Sequence, residues 1–332
     1  MILRLGHVEV FTTDLDDARE LYVETLGFVE AAATADRLYL RGVEDFDTWT
    51  LCVTANGRSG VGHFALRVSE LDDLAELEAL HERLGCETRR VSAGEEPGQG
   101  EALRVRTPDG HALEFYRDME QVELYDAAGG VRLPMRATHR QNGVPPLRID
   151  HVNLRVTDVD AALRYWGGEL GFSTSELVER EGRTFAAWTR RSPFTHDVAL
   201  VEGAEAGMHH VGFLVGDAAA QTRAADLLGD AGRQDAIEFG PGRHGLTNAH
   251  FLYLRDGAGN RLELFAGDYV RDTDLPPIKW SWEDYDQRGR LAWDKGFPAR
   301  FMETSPVNPR WPGEQVGDSD DGARAAAPTA AS

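Results

Sequence analysis

The chain repeats its own sequence. The segment from Thr13 to Phe28 reads TDLDDARELYVETLGF and the segment from Thr157 to Phe172 reads TDVDAALRYWGGELGF, with Thr, Asp, Asp, Ala, Leu, Gly and Phe at matching positions. Each segment follows a run of strand composition, GHVEVFT in one case and DHVNLRV in the other. Because self-similarity at a fixed period marks a repeated supersecondary unit, this repeat restricts the fold more than any other feature of the sequence.

Two more segments open in the same way. GHFALRVSE begins at Gly62 and HHVGFLVGD begins at His209, and a helix-like run follows each of them. The first run predicts a helix with four leucines on one face, which are Leu71, Leu74, Leu77 and Leu84. With units beginning near residues 5, 61, 149 and 207, the sequence predicts an α+β fold of four βαβββ modules, paired two and two.

These modules divide the chain into predicted domains. Residues 1–120 form an N-terminal domain, 121–147 form a linker that contains AAGGVRLPMRATHRQNGVPP, and 148–270 form a C-terminal domain. An extension on the second domain is expected over 271–310. Residues 311–332 are mostly small, polar and acidic, a composition that predicts disorder.

The composition of the 332 residues restricts the class of protein. The formal charge of −21 would repel a nucleic acid, and no basic cluster offsets it. The two cysteines, Cys52 and Cys86, make no disulfide framework. The first residues, MILRLGHVEV, do not read as a signal peptide, and no apolar stretch is long enough to span a bilayer. The sequence therefore predicts a soluble cytoplasmic protein with neither a nucleic-acid nor a membrane partner.

Three possible metal ligands occupy related strand positions. His151, Asn153 and Arg155 share one face of the strand HVNLRV, whose other face is apolar. His210 holds the matching position in HVGFLV, and Glu263 lies within the strand RLELF. Each residue alone is expected to be structural or to face water, but a pseudo-twofold pairing of modules would bring the three together. Two histidines and one carboxylate form the facial triad that binds iron(II) or manganese(II) and leaves coordination positions open.

The segment from His244 to Glu263, HGLTNAHFLYLRDGAGNRLE, resembles the signature of the extradiol ring-cleavage dioxygenases in the vicinal oxygen chelate superfamily. The similar group is that of catechol 2,3-dioxygenase and homoprotocatechuate 2,3-dioxygenase, although that family usually has Pro in place of Gly257. The resemblance implies two glyoxalase/bleomycin-resistance-like domains, a homotetramer, and Fe(2+), with Mn(2+) as the alternative, held by His151, His210 and Glu263. It also implies cleavage of a catechol ring next to the hydroxyls with O2, to a 2-hydroxymuconic semialdehyde-type product in aromatic compound catabolism.

The resemblance implies roles for residues around the metal as well. His196 matches the active-site acid/base, and Trp188 matches a substrate-binding position. The other catalytic matches are Asn153, His244 and Tyr253. His209 is the rival of its neighbour His210 for the second metal ligand, but its side chain has the opposite strand phase.

One position bears on the substituent of the catechol. Relatives that take a carboxylate-bearing catechol tend to have Arg just before GPGRHG, whereas this chain has Phe239 there. A carboxylate buried against Phe without a partner would be costly, so the sequence favours a neutral catechol. Arg288, in DQRGR, matches a second basic position of that pocket and argues the other way, unless it is a solvated surface charge.

The first half carries a triad of its own, formed by His7, His63 and Glu114. The residues around that triad differ from those of the second half. By sequence offset, the positions of Asn153, His196 and Tyr253 are taken by Glu9, Trp49 and Arg104. Because no acid/base histidine remains there, the sequence predicts a degenerate N-terminal site and an active C-terminal one.

Two other functions share the expected fold. A glyoxalase-type metal-dependent isomerase would need no counterpart of His196 or Tyr253. A metal-free small-molecule binding protein would need no triad at all. The ligand set does not separate iron from manganese, because both metals accept the same ligands.

Overall fold

The computed structural model of the chain describes residues 1–123, 128–130, 143–293, 296–309 and 311. The strands of the first half are β1 Ile2–Thr12, β2 Val29–Ala33, β3 Arg37–Arg41, β4 Leu51–Ala55, β5 Gly60–Val68, β6 Thr88–Val91, β7 Ala102–Arg106 and β8 Ala112–Tyr116. Those that follow are β9 Arg148–Val156, β10 Ser173–Arg180, β11 Arg183–Arg190, β12 Val198–Glu202, β13 Gly207–Leu214, β14 Ile237–Arg243, β15 His250–Arg255, β16 Arg261–Ala266, β17 Ile278–Ser281 and β18 Ser305–Pro306.

The helices are α1 Leu15–Arg19, α2 Asp73–Arg83, α3 Val159–Leu163, α4 Ala218–Asp230 and α5 Trp282–Asp284. Short π-helical turns continue three of them, α1 over Glu20–Thr25, α3 over Arg164–Glu169 and α5 over Tyr285–Gly289. Single 3-10 turns lie at Gln234–Ala236 and Ala299–Met302.

Each half forms one mixed sheet in which two modules lie side by side. The first sheet has the order β2-β3-β4-β1-β5-β8-β7-β6, and the second has the order β14-β15-β16-β13-β9-β12-β11-β10-β17. The opening strands of paired modules, β1 with β5 and β9 with β13, run antiparallel at the centre of each sheet. This confirms the predicted α+β fold of four βαβββ modules, which begin at Ile2, Gly60, Arg148 and Gly207.

The repeated TD and GF motifs mark the two ends of the first helix in each half. Asp14 accepts backbone N–H hydrogen bonds at the start of α1, and Asp158 does so at the start of α3, so each aspartate caps its helix. After the π-helical turns, Gly27 and Gly171 have φ angles of 90° and 72°, which glycine adopts without steric cost. The matching residues of the repeat are therefore those that begin and end the helix.

The helices cover the apolar face of each sheet. Val152, Leu154 and Val156 of β9 are fully buried in a core to which both halves contribute. Because successive strand residues point to opposite sides, the face of β9 that carries His151 and Asn153 lies away from those helices. The sheet thus separates a structural face from a face that is available for a site.

The predicted leucine face of α2 is wrong in part. Leu74 is buried and Leu77 packs against the core. Leu71 and Leu84 lie outside the ends of the helix and are 47% and 40% exposed. The helix begins two residues later than the sequence pattern suggests, because the chain leaves β5 through a turn that places Leu71 at the surface.

The C-terminal segment contacts both halves. β17 pairs with β10 and β18 pairs with β13, all in the second sheet. Val307 also forms a bridge to Val61, and Arg58 donates a hydrogen bond to Asn308 at 3.0 Å, so the segment reaches the first sheet as well. The centre of the predicted linker and the predicted disordered tail, apart from Trp311, lie outside the described residues. Within the described ranges, no helix combines the length and apolarity needed to cross a membrane.

Candidate active site

His151, His210 and Glu263 meet on three neighbouring strands, β9, β13 and β16. The Nε2 atom of His151 lies 3.1 Å from Nε2 of His210 and 3.0 Å from Oε2 of Glu263, and His210 Nε2 lies 3.0 Å from the same oxygen. Gly212 stands between His151 and Glu263 in the strand register. A Cβ atom at Gly212 would lie only 2.3 Å from the His151 ring, so glycine lets the imidazole cross β13 to the carboxylate.

Hydrogen bonds on the far side of each imidazole fix its tautomer. His151 Nδ1 lies 3.0 Å from the Asp150 carboxylate, to which it donates. The Phe301 carbonyl oxygen can only accept, so His209 Nε2, 2.7 Å away, carries the proton of that ring. His209 Nδ1 is then an acceptor, and His210 Nδ1, at 2.7 Å, must donate to it. His210 Nε2 is left with a lone pair that faces the triad, and His151 Nε2, 3.0 Å from Glu263, gains one when its second proton leaves.

This donor set fits a divalent metal. The three residues are buried, and their ligand atoms lie within 4.8 Å of one another. Although burial opposes a charged imidazole, hydrogen bonds to Asp150 and Glu263 raise the pKa of His151 to about 9, so the site favours positive charge. Atoms held about 2.1 Å from a metal at right angles to each other lie about 3.0 Å apart. The observed spacing therefore matches three adjacent ligands of one ion.

His209 is expected to set the metal affinity through His210. Replacing His209 with Phe removes the acceptor that fixes the His210 tautomer, and loss of such an outer partner lowers metal affinity by about 10–100-fold. Competition between the protein and a chromophoric chelator for Mn(2+) measures this change. His250→Phe is the matched control, because His250 contacts the ring of Trp293 and does not line the cavity of the triad. An unchanged affinity in folded His209→Phe protein would contradict the role.

The triad lines a cavity of about 110 Å³, and Trp188 and every predicted catalytic residue line the same cavity. The His196 ring lies with its centroid 4.1 Å from that of His151, and its Nδ1 is 2.9 Å from the Thr195 hydroxyl. Burial and the neighbouring histidines lower the pKa of His196 well below its usual value. Its imidazole is therefore neutral at pH 7 and able to accept a proton.

Asn153 offers the cavity an unsatisfied acceptor. Its side-chain oxygen is buried and has no hydrogen-bond partner among the described residues. Buried polar groups in folded proteins are almost always paired with protein, water or ligand. This oxygen is therefore free to accept a hydrogen bond from a molecule bound in the cavity.

Tyr253 and His244 form a second polar pair in the cavity. His244 Nδ1 donates to the Arg290 carbonyl oxygen at 2.6 Å, so its Nε2 accepts from the Tyr253 hydroxyl at 3.0 Å. Burial and the nearby Glu263 carboxylate raise the pKa of Tyr253 well above its usual value. The pair thus presents a protonated phenol, with free oxygen lone pairs, beside the triad.

Two predicted substrate-binding residues do not line the cavity. Phe239 stacks on Phe251 and contacts the rings of Phe297 and Phe301, so it lies behind the cavity wall. Arg288 is 71% exposed and pairs with Asp284, because it lies on the outer side of the π-helical turn after α5. The structure thus places Arg288 at the surface, and its predicted role in the substrate pocket stays a prediction.

Two arginines line the cavity although the sequence predicted no role for either of them, Arg155 and Arg290. For Arg155 a signal was available, because it shares its strand face with His151 and Asn153. For Arg290 there was none, since its position depends on how the C-terminal segment folds back over the second sheet.

The first half builds the same arrangement with different residues. His7 Nε2 lies 3.2 Å from His63 Nε2 and 3.3 Å from Glu114. Trp49 packs on His7 with a centroid distance of 4.4 Å, as His196 packs on His151. Arg104 stands opposite Glu114 in register, as Tyr253 stands opposite Glu263. The sequence offsets used for the two halves thus hold in space.

Arg104 changes the electrostatics of the first triad. Its Nε donates to one Glu114 oxygen at 2.6 Å, and Gln99 donates to the other at 2.7 Å. Nδ1 of His7 is buried and has no partner in the described part of the chain, so the ring proton is expected on Nε2, facing Glu114. Because the carboxylate is already neutralised and both its oxygens are engaged, this site fits a metal less well than the second.

Two family models match the chain. A model described as the catechol 2,3-dioxygenase-like N-terminal domain matches residues 61–120, and one described as the glyoxalase/bleomycin resistance protein/dioxygenase superfamily matches residues 148–264. The second match contains the whole triad of His151, His210 and Glu263.

Similar proteins agree with these models. The manganese-dependent 2,3-dihydroxybiphenyl 1,2-dioxygenase of Geobacillus genomosp. 3 is 31% identical over 88% of this chain and 93% of its own length. Homoprotocatechuate 2,3-dioxygenase of Arthrobacter globiformis has a TM-score of 0.84 and 34% identity, and the match covers 92% of both chains. The Brevibacterium fuscum enzyme, in complex with 3,4-dihydroxyphenylacetate, has a TM-score of 0.83 and 34% identity over 92% of this chain and 93% of its own. The chain therefore belongs to the glyoxalase/bleomycin resistance protein/dioxygenase superfamily and, within it, to the extradiol dioxygenases.

Proposed function

We propose that this protein is a metal-dependent extradiol dioxygenase that cleaves a catechol ring next to its hydroxyls with O2, giving a 2-hydroxymuconic semialdehyde-type product. One observation carries the proposal. Two imidazole nitrogens and a carboxylate oxygen converge within 3.0–3.1 Å in a cavity that also holds a neutral histidine, a protonated tyrosine and an unpaired amide. These are the groups needed to bind a diphenol and move its protons.

His151, His210 and Glu263 are the proposed metal ligands, with Fe(2+) as the proposed ion and Mn(2+) as the alternative. When bound there, such a metal supplies Lewis acidity that lowers the pKa of a catechol hydroxyl. Nitrogen and carboxylate ligands suit both ions, and the site holds no residue that distinguishes them. Metal analysis of protein purified from its own host decides between the two.

His196 is the proposed acid/base. Because it is neutral and lies against His151, it can accept a proton from a catechol hydroxyl held near the triad and later return it to an oxygen of the reacting molecule. The Thr195 hydroxyl at its Nδ1 holds the ring in place. An imidazole suits both transfers, since its ordinary pKa is near neutral.

Tyr253, His244 and Asn153 are proposed to orient the substrate. The Tyr253 oxygen can accept from one catechol hydroxyl while its own proton is held by His244. Asn153 can receive a hydrogen bond at its unpaired oxygen and donate through its NH2 group. Trp188 provides an apolar wall for the ring.

Anaerobic reconstitution tests the proposal. Metal-free protein is loaded with Fe(2+) or Mn(2+), mixed with catechol, and then exposed to air. A yellow ring-cleavage product with uptake of one O2 per catechol is expected. A glyoxalase-type isomerase would consume no O2, and a metal-free binding protein would bind its ligand equally well after chelation. Either result would reject the dioxygenase assignment.

His7→Ala is expected to leave ring cleavage and the metal content close to those of the unchanged protein. The reason is that the first half has Trp49 and Arg104 where the second has an acid/base histidine and a tyrosine. Steady-state turnover and metal analysis on folded protein measure the effect. A loss as large as that of His210→Ala would show that the first half holds the active site.

The homotetramer implied by the family resemblance and the cytoplasmic location predicted from the sequence remain predictions. The domain boundaries at residues 120, 147 and 270 remain predictions as well. Light scattering on purified protein tests the first, cell fractionation tests the second, and limited proteolysis tests the boundaries.

A further inference from the structure

Arg155 is a buried cation in the wall of the active-site cavity. It follows His151 and Asn153 on the same face of β9, and it lines the cavity together with them. The residue is only 6% exposed. Burial lowers the pKa of Arg155 to about 10, so its guanidinium stays charged at neutral pH.

The contacts of this guanidinium leave its charge unbalanced. One Nη donates to the Glu202 carbonyl oxygen at 3.2 Å, the other lies 3.5 Å from the Met302 sulfur, and Nε has no partner among the described residues. The Glu202 carboxylate pairs with Arg180 instead. In the part of the chain that the structure describes, no carboxylate lies within salt-bridge distance of Arg155.

Two other buried arginines of this protein have carboxylate partners, whereas Arg190, which is also buried, donates to two backbone carbonyl oxygens and does not line the cavity. Arg104 pairs with Glu114, and Arg261 pairs with Glu238 at 2.5 Å. Arg290, the second cation at the cavity, has Asp286 as its partner. A buried charge without a partner is costly, so the cost at Arg155 points to a ligand group of opposite sign.

The balance of charges in a cavity that holds metal and catechol also favours a carboxylate on the ligand. A divalent metal, the Glu263 carboxylate, a singly ionised catechol and Arg155 would together leave one positive charge. A carboxylate on the catechol ring would balance that charge. The volume limits its size, because the cavity measures about 110 Å³, whereas a cavity of about 150 Å³ holds one benzene molecule. This volume argues against a second ring, and the case for an acidic side chain rests on the charge of Arg155.

We propose that Arg155 binds a carboxylate on the substrate, so that the enzyme prefers a single-ring catechol with a short acidic side chain to a neutral catechol. This inference rests on the proposed extradiol activity. It reverses the preference for a neutral catechol that was expected from Phe239. Position 239 carries no cation, but Arg155 on β9 supplies one to the cavity.

The test compares kcat/KM for 3,4-dihydroxyphenylacetate and for 4-methylcatechol in metal-loaded enzyme. The ratio should favour the acid by about tenfold or more, because a hydrogen bond to a charged group is lost with the neutral substrate. Arg155→Met should lower that ratio by about tenfold or more, and Arg155→Lys should restore part of it. Arg183→Met, at an exposed arginine that pairs with Asp158, is the control and should keep the ratio.

A binding measurement without turnover accompanies the kinetics. Calorimetric titration of 3,4-dihydroxyphenylacetate under argon should show the same loss of affinity in Arg155→Met, with the metal content of each variant measured alongside. A variant that lost metal or fold would be replaced by Arg155→Lys and Arg155→Gln, which keep a polar group of similar length and should still differ in the ratio.

Several results would overturn the inference. One is a wild-type ratio that does not favour the acid, and another is an Arg155→Met ratio equal to that of wild type. A third is loss of the preference in Arg288→Ala and not in Arg155→Met. Failure to cleave either catechol would instead reject the proposed function, so the two failures are distinguishable.

Discussion

Glu263→Gln is expected to abolish metal binding at the second triad and all ring cleavage with it. The substitution keeps the shape of the side chain but removes the carboxylate whose Oε2 lies 3.0 Å from the Nε2 atoms of both His151 and His210. In the present protein, hydrogen bonds and charge from the two histidines hold the pKa of Glu263 well below its usual value despite its burial, so it is ionised at every working pH. The neutral amide cannot balance a divalent ion in a buried site.

Metal analysis after loading and dialysis measures the first effect, and O2 uptake with catechol measures the second. His210→Ala should give the same two losses, because it removes a second ligand of the same ion. Glu114→Gln, at the equivalent position of the first triad, is the matched control. Full metal occupancy with near-normal turnover in Glu263→Gln would remove the basis for the triad.

His196→Ala is expected to keep metal and catechol but to lose turnover by about 10²–10⁴-fold, the usual contribution of a positioned acid/base. Its imidazole lies beside the triad, not within it, so the ligand atoms should keep their geometry. Stopped-flow absorbance should then show intermediates that accumulate, or O2 reduced without ring opening.

Metal content separates this result from a structural one. His250→Ala, at a histidine outside the cavity, serves as the control for loss of a histidine as such. If His196→Ala released the metal, then His196 would itself be a ligand, and the assignment of Glu263 and the two histidines would need revision.

The modular fold and the triad could be predicted because both follow from two local sequence patterns, the alternation of strand residues and the repeat of the module. Strand residues alternate faces, so His151 and Asn153 had to share a side opposite to Val152 and Leu154. The repeat then placed His210 at the matching point of the paired module. Likewise, equal offsets from the triad put Trp49 where the second half has His196, and the structure keeps that correspondence.

The remaining features depend on contacts between distant segments. His209 has the wrong strand phase for a ligand, yet its link to the Phe301 carbonyl fixes the ring of His210. No sequence pattern near His209 predicts that contact, because Phe301 lies 92 residues further along the chain. Arg290 lines the cavity and Arg288 does not. This difference could not be predicted from the sequence either, because the π-helical turn after α5 directs successive side chains differently from an α-helix.

The unpaired charge of Arg155 was also invisible in the sequence. Its position on the ligand face of β9 was predicted, but a chain with 56 acidic residues offers many possible partners. Only the folded arrangement shows that the Glu202 carboxylate pairs with Arg180, so that Arg155 has no carboxylate partner among the residues that the structure describes.

Arg104 makes the first half independent of metal supply. Its guanidinium acts as a covalently attached counter-ion for the buried Glu114 carboxylate. The buried acid therefore stays neutralised whether or not a metal is bound. We expect the stability of the first half to be insensitive to chelators, whereas the second triad has no such internal cation among the residues that the structure describes.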